Sequence, residues 1–127
     1  MSLPSGRDAT MMGVVMTPKD TMQRYFETWN ARDFDAFEAQ LADDCEFAGP
    51  LGTARGPAEL RAGIEHLSQT VDRAEVVVMA ADGADVITWF ELHTTGGDTV
   101  PVAGWATVED GRVRRNRVTF DPRPMLG

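Results

Sequence analysis

The spacing of apolar residues along the chain changes once, near Arg73, from a period of 3.6 to a period of 2. Before that point the pattern predicts three helices. Thr17-Pro18-Lys19-Asp20 combines a capping Thr, a Pro in the first turn and an acid at the third position, which together start a helix. Met22, Tyr25, Phe26 and Trp29 then fall at i, i+3, i+4 and i+7, one apolar stripe on one face. Asn30-Ala31-Arg32-Asp33 closes this helix and caps a shorter one with the stripe Phe34, Phe37 and Leu41. Asp43-Asp44 interrupts the pattern, Cys45-Glu46-Phe47 is expected as a short strand, and Gly49-Pro50-Leu51-Gly52 as the loop after it. Gly56-Pro57-Ala58-Glu59 opens a third helix whose stripe is Leu60, Ile64, Leu67 and Val71.

Beyond Arg73, four apolar runs are separated by Asp82-Gly83, Gly96-Gly97 and Asp110-Gly111, dipeptides that supply the positive φ of tight hairpin turns. The pattern predicts an α+β fold: three N-terminal helices packed on a strongly curved antiparallel sheet that forms a cone-shaped pocket. Residues 1–16 are expected to be a flexible leader and residues 17–127 a single domain. A chain of 127 residues buries roughly two-thirds of its unfolded surface, enough for a core without disulfides or metals.

Charge narrows the range of partners. Twenty acids against twelve bases give a net charge of −8, which repels nucleic acid and anionic lipid. The one basic cluster, Arg112, Arg114, Arg115 and Arg117, is too small to reverse this. No apolar run approaches the ~18 residues of a membrane span, and a cytoplasmic location is expected. Cys45 stands alone, so there is no internal disulfide and no Cys-based metal site; it is expected in the core. No cofactor and no metal is expected.

Several segments carry a family likeness: Gln23-Arg24-Tyr25, Trp29-Asn30-Ala31-Arg32-Asp33-Phe34-Asp35, Leu41-Ala42-Asp43-Asp44-Cys45-Glu46-Phe47 and Pro50-Leu51-Gly52. Together they resemble the first half of ketosteroid-isomerase-like proteins of the nuclear transport factor 2-like superfamily, which also contains SnoaL-like polyketide cyclases. The resemblance implies the cone-shaped fold and a homodimer formed through one sheet face. It also implies positions for the isomerase machinery, which uses an Asp base and two acids that donate to an enolate. The donor Tyr corresponds to Tyr25. The base corresponds to Gly49, the oxyanion acid to a position at or next to Trp105, and a supporting Tyr to the neighbourhood of Ile64. Losing a general base costs about 10²- to 10⁴-fold and losing an oxyanion donor a similar factor, so steroid isomerisation is not expected. SnoaL-like cyclases place an acid on a late strand, which makes Asp121 the candidate for a relocated acid–base group.

The candidate catalytic residues are therefore Tyr25 and Asp121. The candidate pocket lining is Tyr25, Trp29, Phe90, Trp105, Asn116 and Phe120. Strict alternation nevertheless puts Asp121 opposite Asn116, Val118 and Phe120, as a solvated strand end. His66 lies off its helix's apolar stripe, at the surface. His93 shares a face with Glu91 and Trp89, expected as a subunit contact rather than a metal site. The preferred function is binding of an apolar, carbonyl-bearing small molecule of steroid- or polyketide-like kind, with Tyr25 donating to the carbonyl. An isomerase, cyclase or hydratase using Asp121 is one alternative. A dimerisation module without ligand, suggested by the outward Ile87 and Trp89, is the other.

Overall fold

The computed structural model describes residues 16–126, so the leader expected over residues 1–16 lies almost wholly outside the described residues. The elements in chain order are α1 (Pro18–Asn30), α2 (Phe34–Ala39), β1 (Leu41–Gly49), β2 (Gly52–Arg55), α3 (Gly56–Leu67), β3 (Val71–Asp82), β4 (Asp85–Thr94), β5 (Thr99–Glu109) and β6 (Arg112–Thr119). A 3-10 turn at Arg123–Met125 follows. None of these helices is long and apolar enough to cross a membrane. The helix starts rest on the chemistry expected of them. Thr17 Oγ1 accepts from the Asp20 N–H at 3.1 Å and Asp20 Oδ2 accepts from the Thr17 N–H at 3.0 Å, a reciprocal cap.

The six strands form one sheet in the order β2-β1-β6-β5-β4-β3. The hairpins joining β3 to β6 turn where the glycine dipeptides stand, and Asp110 and Gly111 both have positive φ. One pairing departs from the expected antiparallel meander: β1 runs parallel to β6, with Phe47 opposite Asn116. Two further differences lie next to it. Leu41 belongs to β1 rather than to α2, because Gln40 ends the helix and its carbonyl accepts from Val113 N–H, starting the pairing with β6. The segment after Gly49 is not only a loop, since Gly52–Arg55 returns as the edge strand β2. Its four residues are too few to show a period.

Register shifts interrupt β1 between Leu41 and Glu46, β3 between Val76 and Val78, and the β5–β6 pairing between Thr107 and Val108. Such bulges bend a sheet, and here they accompany a concave face that the helices cover. Asp43 and Asp44 sit in the first of them, and Asp44 pairs there with Arg114 of β6 at 3.2 Å.

The helices are tied to β3 by polar side chains at the end of α1. Asn30 Nδ2 donates to the Ala74 carbonyl at 2.8 Å, and Asn30 Oδ1 accepts from the Ala74 N–H at 2.8 Å. Arg32, in the left-handed region at φ 59°, reaches the Val71 and Asp72 carbonyls at 2.8 and 3.0 Å. On the other side, Arg61 of α3 pairs with Asp35 and Glu38 of α2 at 2.6 and 2.9 Å. These pairs are solvated, so each contributes less than the buried contacts. Replacing Asn30 by Ala should strand the N–H of the buried Ala74. A loss of about 1–3 kcal/mol is expected, read as a lower midpoint in urea with an unchanged slope. An unchanged midpoint would mean that this tie does not hold the helices.

Candidate functional site

The concave face of the sheet, α1 and α3 enclose a cavity of about 310 Å³. That volume lies at the lower end of the roughly 300–1,000 Å³ of ligand sites. Its walls are almost entirely apolar: Met22, Phe26 and Trp29 from α1, Leu60 and Ile64 from α3, and Phe90, Val102 and Val118 from the sheet. The alternation of β5 explains where the room comes from. Val100, Val102, Gly104, Ala106 and Val108 all face inward, and two of these five have little or no side chain. Gly104 stands between Thr88 and Val118 in the ladder, and a Cβ there would meet only ordinary contacts, with Phe90 and Val118 at 3.5 and 3.6 Å. The space in front of Gly104 is therefore left by the sequence, not closed by neighbours.

Two polar groups stand at the buried part of this cavity. Asn116 on β6 donates from Nδ2 to Tyr25 Oη at 3.2 Å, joining residues 91 positions apart. Both are nearly inaccessible to solvent. Burial pushes the Tyr25 hydroxyl far above its ordinary range, with the Asn116 hydrogen bond opposing that shift only in part. Tyr25 is thus a neutral hydroxyl throughout the physiological range. Because its oxygen already accepts from Asn116, its proton remains available, and no acceptor for it lies among the described residues. Trp29 Nε1 and Thr88 Oγ1, on two other residues bordering the cavity, are buried without a partner among the described residues.

Tyr25, Trp29, Phe90, Asn116 and Phe120 all border the cavity. Trp105 does not, and its expected place in the wall is corrected. It is 43% exposed on the opposite face of β5, donating from Nε1 to Asp85 at 2.9 Å and lying under the Arg117 guanidinium at 5.2 Å. The inward neighbours at the position of the isomerase's oxyanion acid are Gly104 and Ala106, which cannot donate from a side chain. Asp121, the expected relocated acid, is also absent from the cavity wall. Its carboxylate accepts from Arg123 Nε at 2.9 Å and from the Arg123 backbone N–H at 3.1 Å. These bonds hold its carboxyl down to about 2, which leaves it ionised, engaged and a weak base.

The base position is closed by packing as well as by composition. A Cβ on Gly49 would lie 2.8 Å from Val118 Cγ2, so no side chain enters there unless Val118 moves. Cys45 is buried and free, and burial pushes its thiol up, away from nucleophilic character. Thr88, Glu59, Gly63 and His66 are among the bordering residues outside the expected lining. Thr88 follows from the parity of β4, in register with Phe90. Glu59, Gly63 and His66 stand at the rim on α3, one helical face that its apolar stripe alone does not reveal. On the outer face, ligand atoms of Glu75, Glu91 and His93 lie within 4.8 Å of one another. The Arg73 guanidinium, 3.3 Å from His93 Nε2 and 3.7 Å from Glu75, already supplies positive charge there.

Comparison with known proteins agrees with this architecture. The family model of the SnoaL-like domain matches residues 22–116. No curated protein is significantly similar in sequence. Among solved structures, a protein from Kribbella flavida DSM 17836 is similar at 26% identity and a TM-score of 0.80, over 89% of this chain and 93% of that one. An NTF2-like protein of unknown function from Cytophaga hutchinsonii ATCC 33406 has 24% identity and a TM-score of 0.80, over 90% and 98% of the two chains. An LEH-like epoxide hydrolase from M. tuberculosis shares the fold at 24% identity and a TM-score of 0.73, over 86% of each chain. With the cone of helices and curved sheet, and a family match over most of its length, the chain belongs to the SnoaL-like domain family within the NTF2-like fold.

Proposed function

We propose that the protein binds an apolar, carbonyl-bearing small molecule of steroid- or polyketide-like kind, held with its carbonyl oxygen on the Tyr25 hydroxyl. The observation that carries this reading is a neutral, buried hydroxyl with an uncommitted proton in an otherwise apolar cavity. A buried donor without an acceptor costs about 1–3 kcal/mol, which an entering carbonyl recovers. Apolar walls supply affinity through burial and one polar contact sets orientation. The Asp121 alternative has little support, because that carboxylate is occupied by Arg123 away from the cavity. The single buried cysteine is in keeping with work in a reducing, cytoplasmic compartment.

The reading includes a homodimer. Val78, Ile87, Trp89 and Trp105 are exposed on the outer face of β3, β4 and β5, and Ile87 lies directly opposite Trp105 in the ladder. A contiguous apolar face of this kind marks an association surface. Its central strands would pack against the same strands of a second copy, in the isologous manner of twofold dimers.

Two measurements test these points. A naphthyl ketone whose emission shifts in apolar surroundings should bind the protein, and Tyr25→Phe should weaken it by about three- to tenfold, the worth of one net hydrogen bond. Gly104→Val, which fills the cavity from the middle of β5, should abolish binding while circular dichroism stays that of the folded chain. Equal affinity in all three proteins would place the probe elsewhere. Separately, sedimentation should give a dimer at micromolar concentration, converted to monomer by Trp89→Arg. A wild-type monomer would remove the dimer from the reading.

A further inference from the structure

The hydrogen-bond arithmetic at Tyr25 and Asn116 specifies more than a carbonyl. Tyr25 Oη receives a proton from Asn116 Nδ2 and has its own to give. Asn116 in turn has Oδ1, to which no side chain among the described residues donates and which is not one of the fully buried unpartnered atoms, so it keeps some open space before it. The pair therefore offers one donor and one acceptor side by side, linked to each other by the 3.2 Å bond. A simple ketone that fills the space beside the pair satisfies the donor but covers the Asn116 oxygen without giving it a donor, which is unfavourable.

We infer that the ligand of this cavity carries a hydrogen-bond donor on the atom next to its carbonyl carbon: a cis-amide such as a lactam, or a carbonyl flanked by a hydroxyl, rather than a ketone alone. This deepens the binding reading above and rests on it. The ligand's carbonyl oxygen accepts from the Tyr25 hydroxyl, and its N–H or O–H donates to Asn116 Oδ1. Asn116 Nδ2 already donates to Tyr25 Oη, so the three groups close a ring in which every donor points at the next acceptor. Closed chains of this kind polarise one another and strengthen in a low-dielectric site.

The surrounding geometry favours a group that brings both atoms in one plane. Asn116 lies on β6 beside Ala106, and Val118 follows it on the same inward face, so its amide is flanked by small and apolar groups. Val118 also occupies the space in front of Gly49, the position of the isomerase base in the resembling family. Where that enzyme needs a carboxylate to move a proton, this site has an amide that neither gains nor loses one. The Asn116 oxygen can recognise an adjacent N–H or O–H but cannot deprotonate it. Asn116 is thus a specificity residue for ligand binding.

The test uses carbostyril, a flat bicyclic lactam with adjacent C=O and N–H, and N-methylcarbostyril, which differs by loss of that one donor. Titration calorimetry on the wild-type protein should give carbostyril the higher affinity by about tenfold. In Asn116→Leu the two should bind alike, with the ratio near one whatever the absolute affinity. Equal or tighter binding of the N-methyl compound by the wild-type protein would overturn the inference, and would mean that Asn116 presents its N–H₂ rather than its oxygen to the ligand. If neither lactam binds while the naphthyl ketone does, this inference falls and the carbonyl-binding reading stands. If none of the three binds, both fall.

Discussion

Asn30 reaches from the end of α1 to the backbone of β3, donating to the Ala74 carbonyl and accepting from its N–H, each at 2.8 Å. The width of the cavity rests on this contact, because Met22, Tyr25, Phe26 and Trp29 of α1 form one of its walls. This buried stripe faces a sheet that has withheld side chains at Gly104 and Ala106. Packing alone would draw such a helix inward, since apolar surfaces gain by closing on one another. Arg32 adds two more bonds to carbonyls of the same strand from a strained, left-handed backbone. A helix held at a fixed distance from one edge, over a sheet bent by bulges, leaves the space unfilled.

The same contact sets the chemistry. Tyr25 lies about one and a half turns before Asn30 on α1, and its hydroxyl ends 3.2 Å from an amide on the strand that pairs with β1 and β5. Helix position and strand register must agree for this bond to form. Phe26 and Phe37 meet the Tyr25 ring at edge and tilted angles, and Phe90 meets Phe26 edge-on, so the surroundings are apolar. The hydroxyl is accordingly kept neutral, and the cavity holds a donor that no change of physiological pH removes.

Much of this architecture was legible in the sequence, for definite reasons. The helix starts at Thr17 and Gly56 and the turns at Asp82-Gly83 and Asp110-Gly111 depend on local chemistry, which sequence records directly. The parallel pairing of β1 with β6 depends on residues some seventy positions apart, and β2 is too short to carry a period. The pocket shows the same division. Tyr25 and Asn116 stand on faces set by periodicity, so their direction could be read, but their bond to each other could not. Trp105 was misplaced as one of the large aromatics expected to line a cup, although the alternation of Val100, Val102, Ala106 and Val108 already put it outside. Local parity was the better guide there, because a ladder without a bulge at that point cannot change face.

Tyr25 is the only tyrosine in the chain, so the tyrosinate band in the near ultraviolet reports on this one hydroxyl. It is buried in an apolar interior, and that burial pushes its ionisation well above the ordinary tyrosine value of 10.0. The sign follows from linkage: unfolded chains ionise their tyrosine first, so folding stability contributed by Tyr25 is complete below about pH 10 and declines as pH rises above it. A spectrophotometric titration should show no tyrosinate while the protein stays folded, with the band appearing together with loss of the far-ultraviolet signal. Reversible ionisation of the folded protein near pH 10.0, the ordinary tyrosine value, would show that the hydroxyl is solvated and would contradict the account at its centre.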